Sequence, residues 1–183
     1  MSSEIITNLL KRMARDESDA FARFYDLYYQ KIYKFSRYFV RSEELCQEIV
    51  MDLFYNVWQS RKNLTDISNI DGYLYTSVKH LSFKYKKDKA NITNLSMDDL
   101  PPDFFIETES PENIYLDNEL KVIIEKAIND LPERCKLIFI MAREQELKHK
   151  EIAEILSISE HTVHAQMSTA STKISAALRR YFS

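Results

Sequence analysis

Apolar residues recur at three- and four-residue spacing along most of this chain, the signature of amphipathic helices. The clearest run is Lys148 to Met167. Ile152, Ala153 and Leu156 form the inner stripe of a first helix. Ser157-Ile158-Ser159 makes a tight turn, with Ile158 pointing back into the core. Ser159 is placed to cap a second helix, whose buried stripe continues through Val163, Met167, Ala170 and Ile174. The pattern is that of a helix-turn-helix, and Ala153 suits the close crossing of its two helices. Its exposed face offers Glu160, His161, Thr162, His164, Ala165, Ser168 and Thr169, and such a face usually meets the DNA major groove. The same periodicity also serves α-domains that never touch DNA. Ser157 stands where a turn glycine is usual, and between Glu160 and Arg179 only Lys173 is positive. Because DNA affinity rests largely on neutralised phosphates, this helix would bind weakly alone.

Helical patterns fill the rest. One helix starts at Ile5 and runs to Arg15, with a turn over Asp16 to Asp19. A long aromatic-rich helix then extends to Val40. Ser42 caps a helix over Glu43 to Arg61, with Leu45, Ile49, Leu53, Val57 and Trp58 inside. A polar loop, Asn63 to Asn69, precedes a helix from Asp71 to about Lys89, with Leu74, Val78 and Leu81 facing inward. Later come a helix from about Ile114 to Asn129, and one capped by Asp130 with Pro132 in its first turn, ending near Glu144.

Composition narrows the fold class. One glycine and 4 prolines in 183 residues argue against the many turns of a β-rich fold, so the expectation is all-α. The net charge of −3 conceals a pattern. Residues 1–89 hold 15 Lys/Arg against 12 Asp/Glu, residues 90–120 hold 8 acids and no Lys or Arg, and residues 121–183 hold 10 basic against 8 acidic residues. Two mildly basic blocks thus flank an acidic, proline-bearing stretch without sustained period. The reading is a helical domain over 1–90, an acidic extended linker over 91–112, and a helix-turn-helix domain over 113–183. Phe104, Phe105 and Ile106 are unusual for a wholly solvated linker. The start, Met1-Ser-Ser-Glu-Ile-Ile, lacks a signal-peptide pattern, and no apolar run is long enough to span a bilayer, so a cytoplasmic protein is expected.

Candidate chemistry is sparse. Cys46 and Cys135 lie within helical patterns and read as small apolar residues rather than as a disulfide or metal pair. His161 and His164 stand three apart beside Glu160, a spacing that metal sites use, but no third ligand is well placed. A one-glycine chain has no phosphate-cradling loop. No catalytic residue, metal or cofactor is expected. The segment Asp71 to His80 interleaves tyrosines with lysine, histidine and hydroxyls, which suits stacking on unpaired bases and contact with phosphates. The plainer alternative puts Tyr73 and Tyr75 partly in the core.

Three segments together resemble a known family. Glu48-Ile-Val-Met-Asp-Leu-Phe-Tyr-Asn-Val-Trp-Gln-Ser-Arg61 is similar to the polymerase-binding helix of extracytoplasmic-function sigma factors. Ile70-Asp-Gly-Tyr-Leu-Tyr-Thr-Ser-Val-Lys-His80 is similar to their promoter-melting helix. Leu131-Pro-Glu-Arg-Cys-Lys-Leu-Ile-Phe and Lys150-Glu-Ile-Ala-Glu-Ile-Leu are similar to the start of their upstream-element reader. The order resembles versions found in Bacteroides-like bacteria and covers roughly residues 18–181. The resemblance implies core RNA polymerase and promoter DNA as partners, with an anti-sigma partner a further expectation. It implies polymerase contacts at Glu48, Asp52 and Asn56, with Met51 where the family often has Gln. It implies downstream-element contacts at Asn63, Asn69, Tyr73, Tyr75, Lys79, His80 and Lys84, with His80 where Asn is common. Upstream-element contacts fall on His161, Thr162, His164, Ala165, Ser168, Thr169 and Lys173. The competing reading is a helix-turn-helix regulator that binds DNA without polymerase, usually as a dimer on a palindrome.

Overall fold

Ser42 and Ser159 show how this chain starts its helices. The Ser42 hydroxyl accepts from the Leu45 amide at 3.2 Å, and that of Ser159 accepts from the Thr162 amide at 3.0 Å. Each satisfies a donor that the first helical turn leaves without an intrahelical partner. The computed structural model describes residues 3–40, 42–90, 118–143 and 147–182. The linker read over 91–112, with Phe104, Phe105 and Ile106, and the predicted helix start at Ile114 lie outside the described residues, as does the predicted helix end at Glu144. Among the described residues all regular structure is helical, as the composition predicts.

The chain divides into two units, Met1–Ser96 and Met97–Ser183. The first contains α1 (Ser3–Met13), α2 (Ser18–Ser36), α3 (Glu43–Gln59), a short 3-10 turn (Leu64–Asp66) and α4 (Ile70–Ala90). Its α2 ends four residues before Val40, and the segment from Tyr38 to Val40 turns inward instead, all three side chains being buried. Phe24, Phe35 and Ile32 of α2, Ile49 and Val57 of α3, and Leu74 and Val78 of α4 are fully enclosed. Phe35 meets Phe39 and Tyr75 edge-on at 5.1 and 4.8 Å, the arrangement that aromatic quadrupoles favour.

The turn after α1 places Asp16 at φ 67, a left-handed position that a short polar side chain tolerates. Asp16 accepts from Arg61 Nε at 2.6 Å, so the end of α3 is tied to the α1–α2 turn. The same guanidinium lies 4.4 Å from the Trp58 ring centre. Leu64 is buried, so the predicted polar loop has an apolar anchor near its start.

The second unit contains α5 (Asn118–Asn129), α6 (Glu133–Arg143), α7 (His149–Leu156) and α8 (Glu160–Tyr181). Helix α6 begins one residue after Pro132, whose carbonyl accepts from the Lys136 amide at 2.8 Å. Asp130 therefore sits in the turn rather than at the predicted cap. Helix α8 packs against each of the other three. Cys135, Leu137, Ile138, Ile152, Leu156, Val163 and Ala170 make its core. The Cys135 thiol donates to the Gln166 carbonyl at 3.2 Å, and burial pushes its pKa up. Cys46 is buried likewise, so both cysteines are packing residues.

Candidate nucleic-acid and polymerase interfaces

On α3, the residues left outside the core form one stripe. Glu48 and Asn56 are exposed. Met51 and Tyr55 are 67% and 62% exposed, among the most exposed large apolar side chains of the protein. Positions 48, 51 and 55 follow one another at helical spacing, so an acid and two apolar groups share a face. The sequence signal was present, since Met51 and Tyr55 fall outside the inner stripe, but composition alone does not show that nothing covers them. Asp52 departs from expectation. It is half-buried and accepts from the Tyr85 hydroxyl of α4 at 2.7 Å. The predicted docking acid is thus engaged within the unit, and only Glu48 presents its carboxylate fully.

Helix α4 sorts its tyrosines and lysines in a way the alternation of residue types conceals. Tyr75 is 2% exposed against Phe35, and burial lifts its phenol pKa well above the usual tyrosine range. Lys79 is 5% exposed, and desolvation lowers its ammonium pKa. Neither can stack on a base or reach a phosphate, so both predicted contacts are withdrawn. Asn69 serves the fold itself. Its side-chain oxygen accepts from the Gly72 amide at 2.9 Å, at the start of α4. Gly72 is tight there, since a β-carbon would lie 3.0 Å from the Asn69 side-chain nitrogen.

Of the remaining predicted residues, those on α4 share one side of the helix. Tyr73 is half-buried, while Asn63, His80 and Lys84 are exposed. Tyr73, Ser77, His80, Lys84 and Lys87 recur every three or four residues and so line one side of α4. Ser77 and Lys87 were absent from the predicted set.

The helix-turn-helix forms as its periodicity predicts. Ser157 closes α7 at φ 58 and ψ 46, the left-handed conformation that the usual turn glycine would adopt. At the other end of α7 the Glu151 carboxylate accepts from the Lys148 amide at 2.7 Å. Val163 and Ala170 are buried, whereas Ile158, Met167 and Ile174 are only half-buried. His161, His164, Ala165 and Ser168 are exposed along one stripe of α8. Thr162 is half-buried, with its hydroxyl 2.8 Å from that of Ser159. The Thr169 hydroxyl donates to the Ala165 carbonyl at 3.0 Å. Lys173 is exposed but lies roughly 120° round the helix from His161 at 3.6 residues per turn. His164 meets His149 of α7 edge-to-face, with ring centres 4.3 Å apart.

Comparison with known proteins bears on the whole chain. Residues 121–174 match the family model described as Sigma-70, region 4. The chain is 21% identical over 181 residues to the ECF RNA polymerase sigma factor SigW of Bacillus subtilis (strain 168), covering 89% of this chain and 91% of that protein. Over nearly its whole length the chain is thus similar to an extracytoplasmic-function sigma factor. It is also 22% identical over 186 residues to the RNA polymerase sigma-H factor of Pseudomonas aeruginosa, covering 98% of this chain and 96% of that one. Its fold is similar to that of CnrH, solved in complex with the cytosolic domain of CnrY, at TM-score 0.58, 15% identity and coverage of 95% and 97%. It is also similar to RpoE of Bartonella quintana, solved with the anti-sigma factor NepR, at TM-score 0.57, 15% identity and coverage of 87% and 96%. These likenesses support a role in directing RNA polymerase to promoters. No helix among the described residues is long and apolar enough to cross a membrane.

Proposed function

We propose that the two units divide promoter selection between them. In the first, the α3 stripe of Glu48, Met51, Tyr55 and Asn56 docks on core polymerase, pairing an acid and apolar groups with a basic, apolar partner surface. The α4 stripe, with Asn63 in the preceding loop, meets the opened downstream promoter element. Tyr73 stacks on a base, while His80, Lys84 and Lys87 follow the phosphates. In the second unit, His161, His164, Ala165 and Ser168 read base edges of the upstream element. Thr162, Thr169 and Lys173 flank that stripe.

One observation favours this reading over an autonomous regulator. The exposed stripe of α8 carries no Lys or Arg before Lys173, which points to the side. A protein that must hold DNA unaided needs phosphate neutralisation, whereas one carried by polymerase can read a few bases on a weak contact. An anti-sigma protein is the class of partner that would hold the factor inactive. Recovering the chain from its native cell with no such protein attached would count against that part.

Run-off transcription with core polymerase and DNA from the native genome tests the function. Start sites that depend on this protein are expected. A specific mobility shift of promoter DNA by the chain alone, with no polymerase-dependent start site, would establish the regulator instead.

A further inference from the structure

Two exposed cations stand beside the reading helix, too few to hold DNA unaided but able to add to a contact that polymerase carries. An open groove of about 620 Å³ runs along the flank of α8, lined by Arg143, Lys148, His149, His164, Ser168 and Ser171 over an apolar floor. Arg143 ends α6, and Lys148 and His149 open α7, so three separate helices contribute. Arg143 and Lys148 are exposed. His164 and Ser168 belong at once to this groove and to the reading stripe, so the groove borders the surface that would face the bases. Lys173 lies on the opposite flank of the same helix. A helix seated in a major groove has a phosphate backbone on each side, and here each flank carries positive charge.

His149 has a second connection to the stripe. Its Nδ1 lies 3.2 and 3.3 Å from the two ring nitrogens of His164, with the rings nearly perpendicular at 84°. An edge-to-face contact of this kind limits the rotamers open to an otherwise exposed side chain. Glu160, one turn away on α8, approaches His164 Nε2 at 3.8 Å.

We propose that Arg143 and Lys148 form a phosphate-gripping wall for upstream promoter DNA, and that His149 is the positioning residue that sets the orientation of His164 for base reading. The proposal rests on the reading of α8 as the upstream-element reader. It assigns affinity and preference to different residues: the wall grips any duplex, and the stripe chooses among sequences.

The experiment uses holoenzyme reconstituted with the full chain and measures promoter binding from low to moderate salt, with core-polymerase affinity measured separately. The double variant Arg143→Ala, Lys148→Ala is expected to bind all promoter variants about tenfold more weakly. Its slope of log affinity against log salt should fall by about 2, since each neutralised phosphate contributes about 0.9. Core affinity should not change. His149→Ala is expected to leave the slope alone and relax base preference at one position, with His149→Phe restoring preference through the same ring contact. An unchanged slope in the double variant overturns the wall. So does a loss of core binding, which would make this face a polymerase contact. Unaltered preference in His149→Ala overturns the positioning role. If wild-type holoenzyme selects promoters in each of these cases, this inference alone fails. Wild-type holoenzyme that selects none removes the functional reading beneath it.

Discussion

The Tyr85 hydroxyl donates to the Asp52 carboxylate at 2.7 Å, across 33 residues of sequence, and so pins α4 to α3. The consequence is that Asp52→Arg cannot be read as a simple change of docking surface. It removes the acceptor and sets a cation beside Tyr85. Both chain stability and polymerase affinity should fall. Tyr85→Phe separates the two effects. It should cost about 1 kcal/mol in denaturant unfolding, the usual scale for a partly solvated hydrogen bond, while core-polymerase affinity holds. A loss of affinity in Tyr85→Phe equal to that of Asp52→Arg would show that Asp52 acts in docking only as held by Tyr85.

Tyr73 and Tyr75 should give opposite phenotypes. Tyr75→Ala empties a fully enclosed site beside Phe35 and should destabilise the first unit by about 3 kcal/mol or more. Tyr73→Ala should lower the melting temperature far less than Tyr75→Ala does and slow promoter opening, measured by the permanganate reactivity of unpaired thymines. Normal opening in Tyr73→Ala would remove the stacking role from this helix.

Stability should have a maximum in the alkaline range. Burial lowers the pKa of Lys79 and Lys136 from an ordinary 10.5, so the unfolded chain holds more protons below that pH, and stability rises as pH climbs towards it. Burial raises the phenols of Tyr28 and Tyr75 above an ordinary 10.0, with Asp71 close to both. Their contribution is fully present below pH 10.0 and is lost as the unfolded chain ionises above it. The double variant Lys79→Met, Lys136→Met should flatten the rising limb and leave the falling one. Chemical denaturation across pH 7 to 11 would show both (roughly the span between neutral and full phenol ionisation).

Ser157→Gly should stabilise the second unit. A non-glycine residue in the left-handed region costs roughly 1 kcal/mol, and Ser157 sits at φ 58. A rise in the melting temperature of that unit is expected. Ser157→Val should lower it by more, because a branched β-carbon fits that conformation worst. A lower melting temperature in Ser157→Gly would mean that the serine side chain matters more than its backbone.

How far the sequence could be read depended on the period of each element. The helix-turn-helix announced itself because Ile152, Leu156, Val163 and Ala170 keep a narrow 3.6-residue stripe, and because Ser42 and Ser159 are cap residues with polar or acidic first turns. On α4 the same rule failed. Leu74 and Val78 marked one inward stripe, but α4 packs against both α2 and α3, and its buried face widens to take in Tyr75 and Lys79. Long side chains with polar tips can bury their apolar stems, so residue type did not betray their direction. The partner of Asp52 is hidden from the sequence for another reason. Helical spacing shows which face a carboxylate occupies, yet a partner 33 residues away exists only in the fold. The same holds for Arg143, Lys148 and His149, which the fold brings together beside a stripe that looked short of charge.

Along the outward side of α8, His161, His164, Ala165 and Ser168 are exposed, and the core is borne by Val163 and Ala170. Exposed positions outside special contacts tolerate substitution within about 0.5 kcal/mol. Three of these four can therefore change with little effect on folding, and His164 can change at the loss of one ring contact. Under the proposed reading of this stripe, promoter choice in a lineage of such proteins is free to drift letter by letter. Copies of one gene can part ways in what they transcribe long before they differ in how they fold.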